Sequence, residues 1–165
     1  DDPVLRRALD DLLEQEDERI ARRDGVPARV TPDASRTPDT SWCWGTVGFA
    51  IGRRAIRDVV GARAHLHLER ADELNLAARD DRHLLCCGAA GTLEALAGST
   101  TPGAPIRRAQ LRDHLVASVG AHVLEDGTSF QSASLFRGVA GIGYALLRTV
   151  DESLPCVLSF TPVHR

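Results

Sequence analysis

Leu85-Cys86-Cys87-Gly88-Ala89-Ala90-Gly91 sets two glycines three residues apart just ahead of an apolar run, and the same frame occurs twice more in the chain. The other copies are Trp42-Cys43-Trp44-Gly45-Thr46-Val47-Gly48 and Leu135-Phe136-Arg137-Gly138-Val139-Ala140-Gly141. Small and apolar residues follow each copy, so each glycine turn is expected to open a helix. The separation between copies falls in the range of helical repeat units. Aligned on the first glycine, Cys43 and Cys86 share one slot, while Cys87 and Arg137 share the next. In a closed array of repeats, equivalent slots face one centre.

Three of the 4 cysteines therefore sit at corresponding helix starts rather than scattered through apolar stripes. Convergent thiols suggest a metal. Zinc takes cysteine thiolates in tetrahedral geometry, and three protein ligands with one open position is the catalytic arrangement. Cys43, Cys86 and Cys87 supply three donors. Their spacing contains no Cys-x-x-Cys pair and fits no common zinc-finger pattern, so two other readings stay open at this point. The thiols also read as small buried hydrophobes, and Cys86-Cys87 also reads as a vicinal disulfide.

The three segments resemble the C-terminal repeats of the lanthionine synthetase C-like (LanC-like) cyclases. That family carries a Trp-Cys-x-Gly segment, a Leu-Cys-His-Gly segment and a Leu-Phe-x-Gly-x-Ala-Gly-Ile-Gly-Tyr segment. Here they are Trp42 to Gly45, Leu85 to Gly88 and Leu135 to Tyr144. The resemblance runs from about Ser41 to Phe160 and implies that Cys43, Cys86 and Cys87 ligate Zn2+. Cys87 stands where the family usually has histidine, and this Cys-Cys-Gly variant is similar to the cyclase domains of class II, bifunctional (LanM-type) lanthipeptide synthetases.

Composition describes a globular chain of 165 residues, 43% hydrophobic and 26% charged, with a net charge of −3. No basic footprint for nucleic acid is present, and no apolar run is long enough to span a bilayer. All 20 basic residues are arginine, and methionine is absent. Without a secretory signal pattern, a cytoplasmic location is expected, where thiols stay reduced.

In chain order, Asp2-Pro3 is expected to start an amphipathic outer helix over residues 3–22. Leu5, Leu9, Leu12, Leu13 and Ile20 form its stripe, and Asp10, Glu14, Asp17 and Arg22 fall on a solvated face. Residues 24–41 read as a proline-rich loop. Glycine-turn repeats follow at 42–60, 84–97 and 135–150. The first runs as one helix to about Val60, with Arg53, Arg54 and Arg57 interrupting its apolar face. A short helix is expected around Glu69 to Arg79. From Pro105 a longer helix carries the stripe Ile106, Leu111, Leu115, Val119 and Val123, and Asp126-Gly127 ends it. Leu154 to Arg165 reads as an extended tail. The fold class is all-α. The glycine turns are expected to permit close backbone approach and special dihedrals, with packing alone the preferred role for Gly138 and Gly141.

The resemblance implies an α/α toroid of helical hairpins, of which this chain would hold only the C-terminal part. Missing N-terminal repeats or a partner chain would then cover its first apolar face. It also implies the chemistry: a peptide cysteine adds to dehydroalanine or dehydrobutyrine in a dehydrated precursor peptide, closing a thioether ring. The resemblance places the family's acid/base histidine and aspartate on earlier repeats; this chain has only one helix and a loop there, so the proton donor is expected to be absent from it. Asp39 stands where the standalone cyclases have arginine, and Trp44 stands where they have tyrosine or histidine. His83 is the candidate catalytic residue that remains, with a supporting role on the ligands the commoner one for such a histidine. Trp44 and Arg137 are candidate substrate-binding residues, though a salt bridge is the simpler role for Arg137. His65, His67, His114, His122 and Cys156 are assigned to surface or core. The chain alone is expected to bind zinc but to show little cyclase activity. Two rivals remain: a non-catalytic, zinc-stabilised repeat module that binds a peptide or partner, and a LanC-like enzyme that adds a small thiol such as glutathione.

Overall fold

A computed structural model of the chain describes residues 2–22, 40–78, 82–122 and 132–160. The described residues are helical with no strand, and no helix among them is long and apolar enough to cross a membrane. Helix α1 runs Pro3–Arg22, its first turn closed by the Val4 amide donating to Asp2 Oδ1 at 2.8 Å. The proline needs no such partner, which is why the Asp-Pro pair makes a clean start.

The first glycine turn opens α2, Thr46–Ala55, and here the chain departs from one continuous helix. A break at Ile56 leads to a short α3, Arg57–Val60, and a 3-10 turn, Gly61–His65. Gly61 takes a left-handed φ of 62° and ends the run. Helix α4 spans Leu68–Leu76 and is entered through His67, also left-handed at φ 60°. The second glycine turn opens α5, Ala89–Ala95, extended by the 3-10 turn Leu96–Gly98. Helices α6, Ala104–His122, and α7, Val139–Val150, complete the order among the described residues.

Helix α5 is the hub. Each of its residues is buried, and α2, α6 and α7 pack around it. Its alanines and single glycine are small enough for three neighbours to approach, and its one buried charge, Glu94, is paired with Arg148 of α7 at 2.7 Å. The main core joins Val47 and Ile51 of α2, Leu93 of α5, Leu111 and Leu115 of α6 and Ile142 of α7, with Leu85 and Leu158 from the connecting segments. A second, smaller cluster joins Ile20, Phe49, Ala50 and Ala71. Thr46 Oγ1 donates to Asn75 Oδ1 at 2.5 Å, fixing the start of α2 against α4.

Several expectations change. Of the α1 stripe, Leu13 and Ile20 are buried, but Leu5 and Leu12 are largely exposed. Asp17, expected in solvent, is buried and pairs with Arg53 at 2.6 Å and Arg63 at 3.2 Å. Arg53 also meets Glu16 at 2.6 Å. Arg53 is thus inside the fold, where charges persist only when paired, whereas Arg57 is exposed and lies in α3. Arg54 likewise pairs with buried Asp72 and donates to the carbonyl of Ala95 at 2.7 Å. Ile106 is exposed and leaves the α6 stripe to Leu111, Leu115 and the partly buried Val119. The tail to Phe160 is a set of turns, with Ser159 N donating to the Cys156 carbonyl at 3.1 Å. Most of the 24–41 loop, Asp39 included, falls outside the described residues, as do Val123, Asp126-Gly127 and the end from 161.

The repeat survives at atomic scale. A Cβ on Gly48 would lie 1.8 Å from the Trp42 carbonyl oxygen, on Gly91 2.4 Å from that of Leu85, and on Gly141 1.8 Å from that of Leu135. Each second glycine therefore lets its helix press on the residue six positions earlier. The first glycines of the turns are extended at φ −131°, −177° and −148°, so close approach rather than an unusual dihedral is what the frame requires. In α7 this predicts opposite outcomes for two nearby substitutions. Gly141→Ala forces backbone apart and is expected to cost about 3 kcal/mol. Gly143, with nothing within 4 Å of its Cβ position, is expected to gain about 0.5–1 kcal/mol on mutation to Ala. Urea unfolding of the two variants checks the contrast.

Candidate metal centre and the cleft beside it

The three glycine turns are joined to one another through the backbone. The Trp42 amide donates to the Cys86 carbonyl at 2.8 Å, and the Cys86 amide donates to the Phe136 carbonyl at 3.1 Å. Side chains reinforce the junction. The rings of Trp42 and Phe136 stack with centroids 5.4 Å apart and planes at 14°. Trp42 Nε1 donates to the Leu158 carbonyl at 3.0 Å, tying the final segment to the first turn. Phe136, in the slot that holds thiols elsewhere, is thus a packing partner for Trp42.

The thiols belong to this junction. Cys86 is buried, Cys87 half-buried and Cys43 exposed, and none is in a disulfide. Cys86 and Cys87 are in contact, Sγ to Sγ 3.2 Å, while Cys43 Sγ lies 3.9 Å from Ser41 Oγ. Among the described residues, no three histidine, cysteine or acidic side chains are gathered as a ready-made cation site. The donor set nevertheless suits zinc: three soft sulfurs on two hydrogen-bonded turns, two already in contact.

Burial pushes the Cys87 thiol up to about 11, helped by its hydrogen bond to Cys86 and by repulsion from that sulfur; Arg82 and Arg137 pull the other way. Arg137, exposed at the first position after Phe136, therefore contributes charge to this centre. A bound cation would reverse the sign, because it favours the thiolate that burial disfavours. His83 is half-buried, with its ring stacked on that of His114 of α6, centroids 5.1 Å apart and planes at 22°. Trp44 is 72% exposed.

Cys43 opens onto a cleft of about 690 Å³ between α1 and the first turn. Leu12, Glu16, Arg19 and Ile20 line one wall; Trp42, Trp44 and Phe49 line the other. Glu16 and Arg19 were not identified as site residues from the sequence, because only the fold brings α1 to the thiol. Cys156 is half-buried against the main core, its thiol raised by burial and by Glu94. Glu94 itself is raised by burial against the pull of its partner Arg148, 2.7 Å away.

The state of Cys87 predicts its reactivity in metal-free protein. Thiolate is the reacting form, so its alkylation by iodoacetamide is expected to keep rising about tenfold per pH unit through pH 9 and to level only near 11. Peptide mass mapping of alkylated Cys87 reads this out, and a plateau at pH 8–9 contradicts the assigned environment.

The description "lanthionine synthetase C-like protein" belongs to the family that matches residues 1–160. Neither a curated protein nor a solved structure matches the chain. The family match covers nearly the whole chain, and the glycine turns and their thiols lie within it: the chain belongs to the lanthionine synthetase C-like family.

Proposed function

We propose that this protein is a zinc-dependent cyclase of lanthipeptide biosynthesis, of the class II (LanM-type) kind, in which Cys43, Cys86 and Cys87 hold Zn2+. The observation that carries the reading is the backbone junction, which brings the turn of Cys43 onto the turn of Cys86 and Cys87. Zinc, when bound, makes a thiol that joins it lose its proton at neutral pH. With zinc held there, the three thiolates and the dication would sum to −1, and a substrate thiolate would add a further negative charge. Arg82 and Arg137, both attracting the charge of Cys87, offset part of that excess. A reducing cytoplasm is the compartment this chemistry needs.

In the reaction the substrate sulfur bonds to Cβ of a dehydroalanine or dehydrobutyrine. The π pair moves toward the carbonyl, and Cα takes up a proton. That proton requires a general acid. His83 is the imidazole closest in sequence to the paired thiols, and its stacking on His114 fixes the plane of its ring. Orienting the thiol pair is the role proposed for it, with proton delivery open to water. Trp44 offers the peptide an exposed aromatic face, and Arg137 offers a cation beside the thiols.

Ring closure conserves mass, so it is followed as loss of a free thiol in a peptide with one dehydroalanine and one cysteine. Zinc-loaded protein is expected to accelerate this loss modestly over buffer and Cys86→Ala to abolish the gain. Equal rates with Cys86→Ala contradict the assignment. A cysteine-free dehydrated peptide offered with glutathione separates the two thiol-adding readings. Mass gain by glutathione at a comparable rate would place the enzyme with small-thiol addition instead.

A further inference from the structure

The cleft beside Cys43 has a composition that specifies what it holds. Leu12, Glu16, Arg19 and Ile20 recur at helical spacing along one face of α1, opposite Trp44 and Phe49. Leu12 is 62% exposed and Trp44 72%, so the cleft offers apolar surface that the chain's own described residues leave uncovered. Its volume lies within the range of small-ligand and peptide-side-chain sites. The two charges in its wall are not equivalent. Glu16 is neutralised by Arg53 at 2.6 Å, whereas Arg19 has no ion pair among the described residues. The cleft therefore presents apolar walls, one uncompensated guanidinium and a thiol.

We infer that this cleft seats the substrate peptide next to its reacting residue and selects a segment with a bulky apolar side chain beside an acidic one. The inference rests on the cyclase reading for the identity of the peptide, because Cys43 lies in the cleft wall. The apolar side chain packs between Leu12 and Trp44, and its acidic neighbour accepts from Arg19. A guanidinium suits a carboxylate because two parallel N–H groups meet two oxygens. Aromatic and arginine side chains are the usual anchors of such recognition.

Both tryptophans of the chain, Trp42 and Trp44, line the cleft, so intrinsic fluorescence reports occupancy. The probes are capped hexapeptides with serine in place of the reacting cysteine, leucine beside it, and glutamate, glutamine or lysine next in line. Full-length protein is titrated with each, with and without a zinc chelator. Tightest saturable binding is expected for the glutamate peptide. Arg19→Glu is expected to weaken it roughly tenfold, about 1.4 kcal/mol, and to reverse the preference toward lysine. Leu12→Glu is expected to weaken all three. Arg19 and Leu12 are exposed on α1, so circular dichroism and zinc content should be unchanged in both variants. Preference reversal is a response that mere loss of structure does not produce. Equal binding of the glutamate and lysine peptides, or no saturable response, overturns the inference. A concentration-dependent dimer in sedimentation that Leu12→Glu abolishes also overturns it, since a second copy would then fill the cleft. Peptide binding by protein that contains no zinc as purified, by elemental analysis, leaves the cleft assignment standing while the cyclase reading fails.

Discussion

The described structure depends on how closely its glycine turns can approach. Three helices start from turns whose second glycine lies against a carbonyl of its own turn, at distances no Cβ tolerates. That compression leaves the amides of Trp42 and Cys86 free to bond across to the next turn. A buried amide must find a partner somewhere, and here it finds one on the neighbouring repeat. The result is one junction from which α2, α5 and α7 diverge, carrying the thiols as a consequence of backbone packing. Any chemistry of these thiols would thus be tied to how the turns pack.

Helix α1 is held differently. Its contribution to the apolar core is small, chiefly Leu13 and Ile20, and its anchor is ionic, with Asp17 between Arg53 and Arg63 and Glu16 on Arg53. Buried ion pairs barely repay their desolvation, yet they cost several kcal/mol to break from one side. They are better at fixing a position than at adding stability. That suits a helix that also borders an open cleft, with Glu16 and Ile20 both anchoring it and lining the cleft, because fuller apolar packing there would close the space that Cys43 faces.

Much of this was legible from residues alone. The paired glycines located the helix starts, because only a residue without a side chain fits the observed backbone contact. The Asp2-Pro3 cap and the helix from Val139 to Val150 follow from local rules. The departures share one cause: they depend on partners distant in sequence. Asp17 looks like a solvent residue until Arg53 and Arg63 are folded onto it. Ile106 and Leu12 fit a helical stripe, but burial is decided by whether a neighbour covers that face. Ile56 breaks α2 without proline or glycine, and His67 takes a left-handed conformation that nothing in its type requires. The cleft was invisible for the same reason, since α1 and the first turn meet only in three dimensions. Membership in the family was readable from the motifs, because the residues that carry it are also the ones that make the turns pack.

The central claim is that the repeat-aligned thiols act as one site, and metal stoichiometry tests it most directly. Elemental analysis of purified protein, with Cys43→Ala, Cys86→Ala, Cys87→Ala and Cys156→Ala made separately, is expected to show close to one zinc per parent chain. The first three substitutions should deplete it, and the fourth should leave it in place. A parent chain without zinc, or zinc that depends on Cys156 alone, would contradict the account.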